Sequence, residues 1–299
     1  MTTEIRVAVV GLGKMGTPIA ERILDAGYPL AVWNRTRSRA EPLEARGATV
    51  LGSAADAFIE ADVCVTMVAD DDALEAVAPE VLAGARPGTT LVDMSTVSVA
   101  ASERVAERAT AAGVEFLRSP VSGNPTVVRG GTLTLVVSGP EETARRLDGL
   151  LRSIGPKVFY VGEGERARVV KLALQVLVGG VTELLGEAVV LGESGGVERG
   201  RLLEVINASA VGSPLTGYKG EALLRDDYSA TFTTAMMLKD VDLVLDLAEE
   251  RRLALPFTRH LRGLLEGAIE GGHGDEDFMA LYLALREAAR ESTGAGERR

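Results

Sequence analysis

Ile5-Arg6-Val7-Ala8-Val9-Val10-Gly11-Leu12-Gly13-Lys14-Met15-Gly16 is an apolar run that leads directly into three glycines spaced G-x-G-x-x-G, and Met15 to Ala26 continues with helical periodicity. A strand that turns through glycines into a helix leaves backbone N–H groups and the positive end of the helix dipole facing one spot, a preformed site for phosphate. Gly11 is expected to permit the tight turn, Gly13 to let a pyrophosphate approach the backbone, and Gly16 to let the helix pack closely on the strand. Any glycine-rich turn before a helix can produce this pattern by chance. Its position in the first unit of a long strand–helix series makes dinucleotide binding the stronger reading than a plain structural turn.

Outward from this loop, short Val-rich runs alternate with amphipathic stretches: IRVAVV, YPLAVW, DVCVTMV, TTLVDM, EFLRSP, LTLVVSG and KVFYVG, separated by Ser53 to Glu60, Ala73 to Ala85, Val99 to Ala112 and Glu141 to Ser153. Repeated strand–helix units of this kind predict a parallel sheet, here an α/β Rossmann domain over residues 1–163. Beyond Gly164 the strand-like runs cease. Helical periodicity continues to about residue 290, with breaks at Gly195-Gly196, Ser213-Pro214, Arg225 to Thr231, Pro256 and Gly271 to Gly274. This predicts an all-α C-terminal domain over 164–292, entered by a long inter-domain helix from about Glu165 to Glu193, and a disordered tail over 293–299.

At the end of the second apolar run, where an acidic residue would take the ribose 2′-hydroxyl of NAD, the chain reads Trp33-Asn34-Arg35-Thr36-Arg37. Without a carboxylate there, Asn34 and Thr36 can hydrogen-bond a 2′-phosphate and Arg35 can pair with it or stack on adenine. NADP(H) is therefore expected, with NAD(H) as the other possibility; a solvated basic turn is the plainer alternative. Met67-Val68-Ala69 follows the next strand and is expected to wall the cofactor groove, since ligands of open α/β sheets collect beyond strand C-termini.

The formal net charge of −11 over 299 residues argues against the cationic face that nucleic acid requires. The single cysteine, Cys64, sits within VCVTMV and reads as a core residue, and with one Cys and two His no metal cage is expected. The opening MTTEIRVAVVG lacks the pattern of a signal peptide, so a cytoplasmic protein is expected. The Leu- and Val-rich stretch from Leu172 to Leu191 raises the question of a membrane span, but Gln175, Glu183 and Glu187 interrupt it, and no membrane association is expected.

GLGKMGTPIA, Asp93-Met94-Ser95-Thr96, Pro120-Val121-Ser122-Gly123 with Gly131-Thr132-Leu133, Gly162-x-Gly164 followed by Lys171, and Lys239-Asp240 occur in that order. Together they resemble the β-hydroxyacid dehydrogenase family over essentially the whole chain. The resemblance implies cofactor contacts from Gly11, Leu12, Gly13, Lys14, Met15, Gly16, Thr96 and Lys239, substrate contacts from Ser122, Gly123, Asn124 and Gln175, and catalysis by Lys171. It also implies a small, carboxylate-bearing substrate and a homodimer or dimer of dimers, with Gly179, Gly180 and Gly186 expected to let helices approach closely.

Reduction of a carbonyl needs a hydride, a proton donor to the developing alkoxide, and a grip on the substrate. An ammonium at Lys171 suits the second task. Burial is expected to bring its neutral form within reach near pH 7, so that it can also accept the alcohol proton in oxidation. Ser122 and Gly123 are expected on the loop that follows the strand EFLRSP at its C-terminal end, where ligands of open α/β sheets collect, and a hydroxyl and a free backbone N–H there can hold a carboxylate. Some positions depart from the family pattern: Gln175 replaces the usual asparagine, Arg118-Ser119-Pro120 the usual aspartate-alanine-proline, and Asn124 a glycine. Two alternatives stay open, an NADPH-dependent imine reductase and a non-catalytic dinucleotide-binding module.

Overall fold

The computed structural model describes residues 5–296, with side chains as far as residue 289. Contacts divide the chain into two compact units, Met1–Lys171 and Leu172–Arg299.

In the first unit, β1 (Val7–Val10), β2 (Leu30–Trp33), β3 (Thr49–Val50), β4 (Val63–Thr66), β5 (Thr90–Asp93) and β6 (Glu115–Arg118) form a sheet ordered β3-β2-β1-β4-β5-β6, every pair parallel. The central strands read as unbroken apolar runs because helices cover both faces. Val7 and Val9 pack into one hydrophobic cluster with Ile19 and Ile23 from the helix Gly16–Asp25, while Ala8 and Val10 pack into another with Phe58, Leu74 and Val81. Cys64 belongs to that second cluster, and burial pushes its thiol well up, as befits a core residue. Strand order reverses between β1 and β4, so the loops after these two strands diverge and open a crevice at their C-terminal ends.

The chain then adds β7 (Val121–Ser122), antiparallel to β8 (Thr134–Val137), which runs parallel to β9 (Lys157–Tyr160). A bridge between Arg118 and Ser138 joins this small sheet to the end of β6. The apolar patterning anticipates neither β3 nor β7, because two-residue strands are too short to show alternation. Ser122 therefore lies within an antiparallel strand, and not on a loop beyond a parallel strand as expected: the chain turns at Ser119-Pro120 and pairs back on β8.

The long helix runs Arg166–Ser194. In the second unit it is accompanied by the helices Arg199–Ala208, Pro214–Arg225, Thr234–Glu250, Pro256–Ala268 and Leu281–Gly296. Ser213 and Thr233 cap two of these helices, accepting from the N–H groups of Thr216 and Met236, and prolines open two of them. Residues 293–296 of the expected tail continue the last helix, and 297–299 lie outside the described residues.

Within the second unit the buried Lys219 ammonium pairs with Asp277 and lies 3.6 Å from the centroid of the Phe278 ring, while Asp277 also accepts from Thr231 Oγ1 at 3.1 Å and Met279 N at 3.0 Å. The glycines of the long helix serve this unit's own packing. An added Cβ would fall 2.6 Å from Leu261 at Gly179, 3.0 Å from Phe257 at Gly180 and 3.2 Å from Leu285 at Gly186. They admit neighbouring helices of the same chain, which corrects the expectation that they serve contact between copies.

Candidate active site

Gly11 adopts φ +100°, and a Cβ there would stand 2.3 Å from the carbonyl oxygen of Met67. At Gly16 a Cβ would fall 1.9 Å from the Gly11 carbonyl oxygen. These two glycines are demanded by the chain itself: one closes the loop against β4's exit, and the other lets the loop fold onto its own helix. At Gly13 an added Cβ would meet no protein atom within 4 Å. Its lack of a side chain therefore serves no packing need of the protein and leaves the backbone approachable. No side chain caps the helix Gly16–Asp25 and its first turn carries no acidic residue, so its N-terminal dipole is unneutralised from within. This loop fits the diphosphate of a dinucleotide.

The end of β2 is tied to the same loop. Asn34 Oδ1 accepts from Leu12 N at 2.9 Å, and Asn34 Nδ2 donates to Thr36 O at 3.0 Å, so the Asn34 amide holds backbone at both ends. Arg35 and Thr36 are exposed beside it. Arg39, two alternations further along, reaches back with Nη1 3.5 Å from Leu12 O. Arg39 had no part in the sequence reading; the only signal for it was the recurrence of arginine at 35, 37 and 39.

A buried polar network lies behind the loops that follow β4 and β5. Asp93 Oδ1 accepts from Thr66 Oγ1 at 2.6 Å and Ser95 Oγ at 2.7 Å, and Ser95 Oγ in turn accepts from Val68 N at 2.9 Å. Asp93 Oδ2 pairs with Arg168, whose Nη1 donates to Ser95 O at 2.7 Å and whose Nε donates to Ser102 Oγ at 3.2 Å. Met67–Ala69 and Thr96 are thus carried on segments fastened to the first turn of the long helix.

That first turn is anchored again by Ser138, whose Oγ donates to Gly164 O at 2.6 Å and accepts from Ala167 N at 3.1 Å. Arg118 pairs with Glu165 just before the helix and stacks 4.4 Å from the Phe116 ring centroid. Arg118, one of the departures from the family pattern, is therefore a buried anchor of the helix.

Lys171, half-buried, donates from Nζ to Val121 O at 3.0 Å. The structure so brings together Lys171 and the Val121-Ser122-Gly123 segment, which are 50 residues apart in sequence. Gly123 has φ +149°, and a Cβ there would fall 2.8 Å from both Leu133 and Val127, so only glycine fits. Asn124 Oδ1 accepts from Val127 N at 3.0 Å, which makes its carbonyl a cap for the short helix Pro125–Arg129.

In the second unit Gln175, buried and one helical turn beyond Lys171, donates from Nε2 to Asp240 Oδ2. Lys239 Nζ stands 2.9 Å from Asp240 Oδ1. Sequence reading paired Lys239 with Asp240 but assigned no role to the carboxylate that orients the Gln175 amide.

A doubly wound sheet with a glycine loop at its switch point and a lysine held beside a glycine-serine segment defines a nicotinamide-dinucleotide-dependent oxidoreductase acting on CH–OH groups. Residues 6–162 match the NAD-binding domain of 6-phosphogluconate dehydrogenase, and residues 165–285 match the NAD-binding region of NADP-dependent 3-hydroxyisobutyrate dehydrogenase. The chain belongs to the β-hydroxyacid dehydrogenase family.

An uncharacterized oxidoreductase of Bacillus subtilis, YfjR, is 33% identical over 94% of this chain and all of its own length. Glyoxylate/succinic semialdehyde reductase 2 of Arabidopsis thaliana is 30% identical over 95% of this chain and 80% of its own. The 3-hydroxyisobutyrate dehydrogenase of Mycobacterium tuberculosis, solved with L-serine, superposes with a TM-score of 0.86 at 28% identity, covering 95% of this chain and 100% of that one. The helix Arg166–Ser194 is long and apolar enough to cross a membrane, yet Gln175, Thr182 and Glu183 within it are buried, as suits a core helix.

Proposed function

We propose that this protein interconverts a small β-hydroxyacid and its semialdehyde or keto acid with NADP(H), and that Lys171 moves the proton. The observation that carries this reading is the 3.0 Å bond from Lys171 Nζ to Val121 O, which holds an ammonium against the Ser122-Gly123 segment. In reduction Nζ donates a proton to the forming alkoxide; in oxidation its neutral form takes the hydroxyl proton. Ser122 Oγ and the Gly123 N–H hold the substrate carboxylate, and Gln175, its amide oriented by Asp240, is a further substrate-binding residue in this reading. Asn124 borders this segment with its carbonyl already committed to capping. A bound nicotinamide supplies or accepts the hydride.

Gly11, Leu12, Gly13, Lys14, Met15 and Gly16 take the diphosphate in this reading, and Met67, Val68, Ala69, Thr96 and Lys239 contact the rest of the cofactor. The NADP(H) preference rests on the exposed Arg35 and Thr36, with Arg39 beside them, in place of a carboxylate. Asn34 serves by holding the loop, its amide being engaged at both ends. NAD(H) binding is then the weaker activity. The substrate class draws on the relatives named as glyoxylate/succinic semialdehyde reductase and 3-hydroxyisobutyrate dehydrogenase.

The reading includes a cytoplasmic location and a homodimer or dimer of dimers. Leu177, Leu184 and Leu191, spaced by seven on the long helix and 62%, 53% and 74% exposed, supply an apolar stripe suited to a second copy.

The test is an assay of glyoxylate and succinic semialdehyde with NADPH, of 3-hydroxyisobutyrate and L-serine with NADP+, and of a cyclic imine, on the wild type and Lys171→Ala. Turnover of the acids or aldehydes that drops at least ~100-fold in a folded, cofactor-binding Lys171→Ala variant is expected. Turnover of the imine alone, or unchanged turnover without the lysine, overturns the reading.

A further inference from the structure

We infer that Arg168 is a positioning residue for Lys171, setting the rotation of the lysine-bearing helix against the loops that carry Val68 and Thr96. The inference rests on the catalytic reading of Lys171 and adds a residue that acts only through it.

Arg168 is 1% exposed, its partners Asp93, Ser95 and Ser102 are fully buried, and so is Thr66, which bonds Asp93 in turn. A guanidinium has a rigid fork of donors, and here the fork is spread over three acceptors on two separate segments: Asp93 at the end of β5, Ser95 O just beyond it, and Ser102 Oγ on the helix Val99–Ala111. Through Asp93 Oδ1 and Ser95 Oγ the same network reaches Thr66 at the end of β4 and the N–H of Val68. Both strands that flank the sheet's path into the cofactor loops are therefore fastened to a single side chain.

That side chain sits three residues before Lys171 on one continuous helix, so the two project from adjacent turns of the same face. Turning the helix by one residue would swing Lys171 through about 100° and away from Val121 O. The Arg168 fork allows only one rotation. Ser138 and the Arg118–Glu165 pair hold the start of the helix, but they act at residues 164–167, before Arg168 and Lys171.

Stability alone is a weak reason for such a pair. Burying an arginine and an aspartate costs desolvation that offsets much of their attraction, and apolar side chains of similar size often hold such elements as well. What apolar side chains cannot supply is a directional constraint on three acceptors at once.

The experiment compares the wild type with Arg168→Lys, which keeps the charge but loses the fork, and with the double variant Asp93→Leu/Arg168→Met, which removes both buried charges and so avoids leaving one unpaired. Each is measured for thermal stability, NADPH affinity by nicotinamide fluorescence, kcat and KM with succinic semialdehyde, and the rate of Lys171 modification by an amine-selective reagent at fixed pH, read by peptide mass spectrometry. The expected result in a folded, NADPH-binding variant is a kcat at least ~10-fold lower, KM within about threefold, and Lys171 modification severalfold faster as its contact with Val121 loosens. A folded variant with wild-type kcat and wild-type Lys171 modification overturns the inference, as does a double variant that merely melts earlier with its kcat intact. The modification rate needs no substrate. It therefore reports on positioning even where Lys171→Ala shows the lysine to be dispensable, and the two failures are told apart.

Discussion

Asn34 Oδ1 accepts the backbone N–H of Leu12 at 2.9 Å, so the residue standing where NAD-dependent enzymes place a carboxylate is a brace for the glycine loop. Asn34→Asp keeps this acceptor and adds a negative charge beside Arg35 and Thr36. Binding of NADPH is expected to weaken relative to NADH by at least ~10-fold, or about 1.4 kcal/mol, in parallel fluorescence titrations. Arg35→Ala should weaken NADPH alone. Equal losses for both cofactors in either variant would refute 2′-phosphate recognition at this turn.

The three glycines of the loop should separate by cause. Gly16→Ala places a methyl group 1.9 Å from the Gly11 carbonyl, so it should lower the melting temperature with or without cofactor. Gly13→Ala meets no protein atom within 4 Å and should melt like the wild type, yet bind NADPH at least ~10-fold more weakly because the methyl blocks the approach of the diphosphate. Undiminished NADPH binding by Gly13→Ala would place the diphosphate elsewhere.

Glu183 is buried on the long helix, and neither carboxylate oxygen has a hydrogen-bond partner. Burial pushes its carboxyl up to about 7 from the ordinary 4.5, and repulsion from Glu187 adds to the effect. The folded protein thus holds this proton more tightly than the unfolded chain does, and the group's contribution to stability falls as pH rises from about 4.5 to about 7. Glu183→Gln should be more stable than the wild type at pH 8, by about 2–3 kcal/mol, and the gain should shrink below ~1 kcal/mol at pH 5. Denaturant melts at the two pH values check this; a gain independent of pH would show that Glu183 does not titrate in that range.

Leu184 is 53% exposed at the centre of the leucine stripe. Leu184→Asp puts a charge there without disturbing any core cluster of the chain. If that face meets a second copy, sedimentation should show the wild type as a dimer or larger and the variant as a monomer at micromolar concentration. A wild type that sediments as a monomer would remove the assembly from the proposed reading.

The glycine loop was legible because its signal is local. The glycine spacing and the missing carboxylate after Trp33 follow from a few adjacent residues, whereas Lys171 stood out only through its place in an ordered set of family motifs. The anchors were not. Asp93 and Arg168 are 75 residues apart and meet only because β5 and the long helix pack together, and a lone charge in a sequence does not disclose whether it will be buried or solvated. Asn124 and Asn34 illustrate the same limit, since a short polar side chain beside a loop can serve a ligand or satisfy backbone, and here both amides are engaged with backbone.

By itself, then, the amino-acid order determined a parallel α/β unit followed by helices, a dinucleotide loop and membership of the β-hydroxyacid dehydrogenase family, because apolar period, glycine spacing and short motifs are properties of neighbouring residues. Tertiary structure alone decided that Ser122 lies in an antiparallel strand, that Gly179, Gly180 and Gly186 accommodate the chain's own helices, and that Arg168 ties the lysine helix to the cofactor loops. These depend on which surfaces meet after the chain has crossed itself, and burial converts a polar side chain from a solvated group into one that must find its partners within the fold.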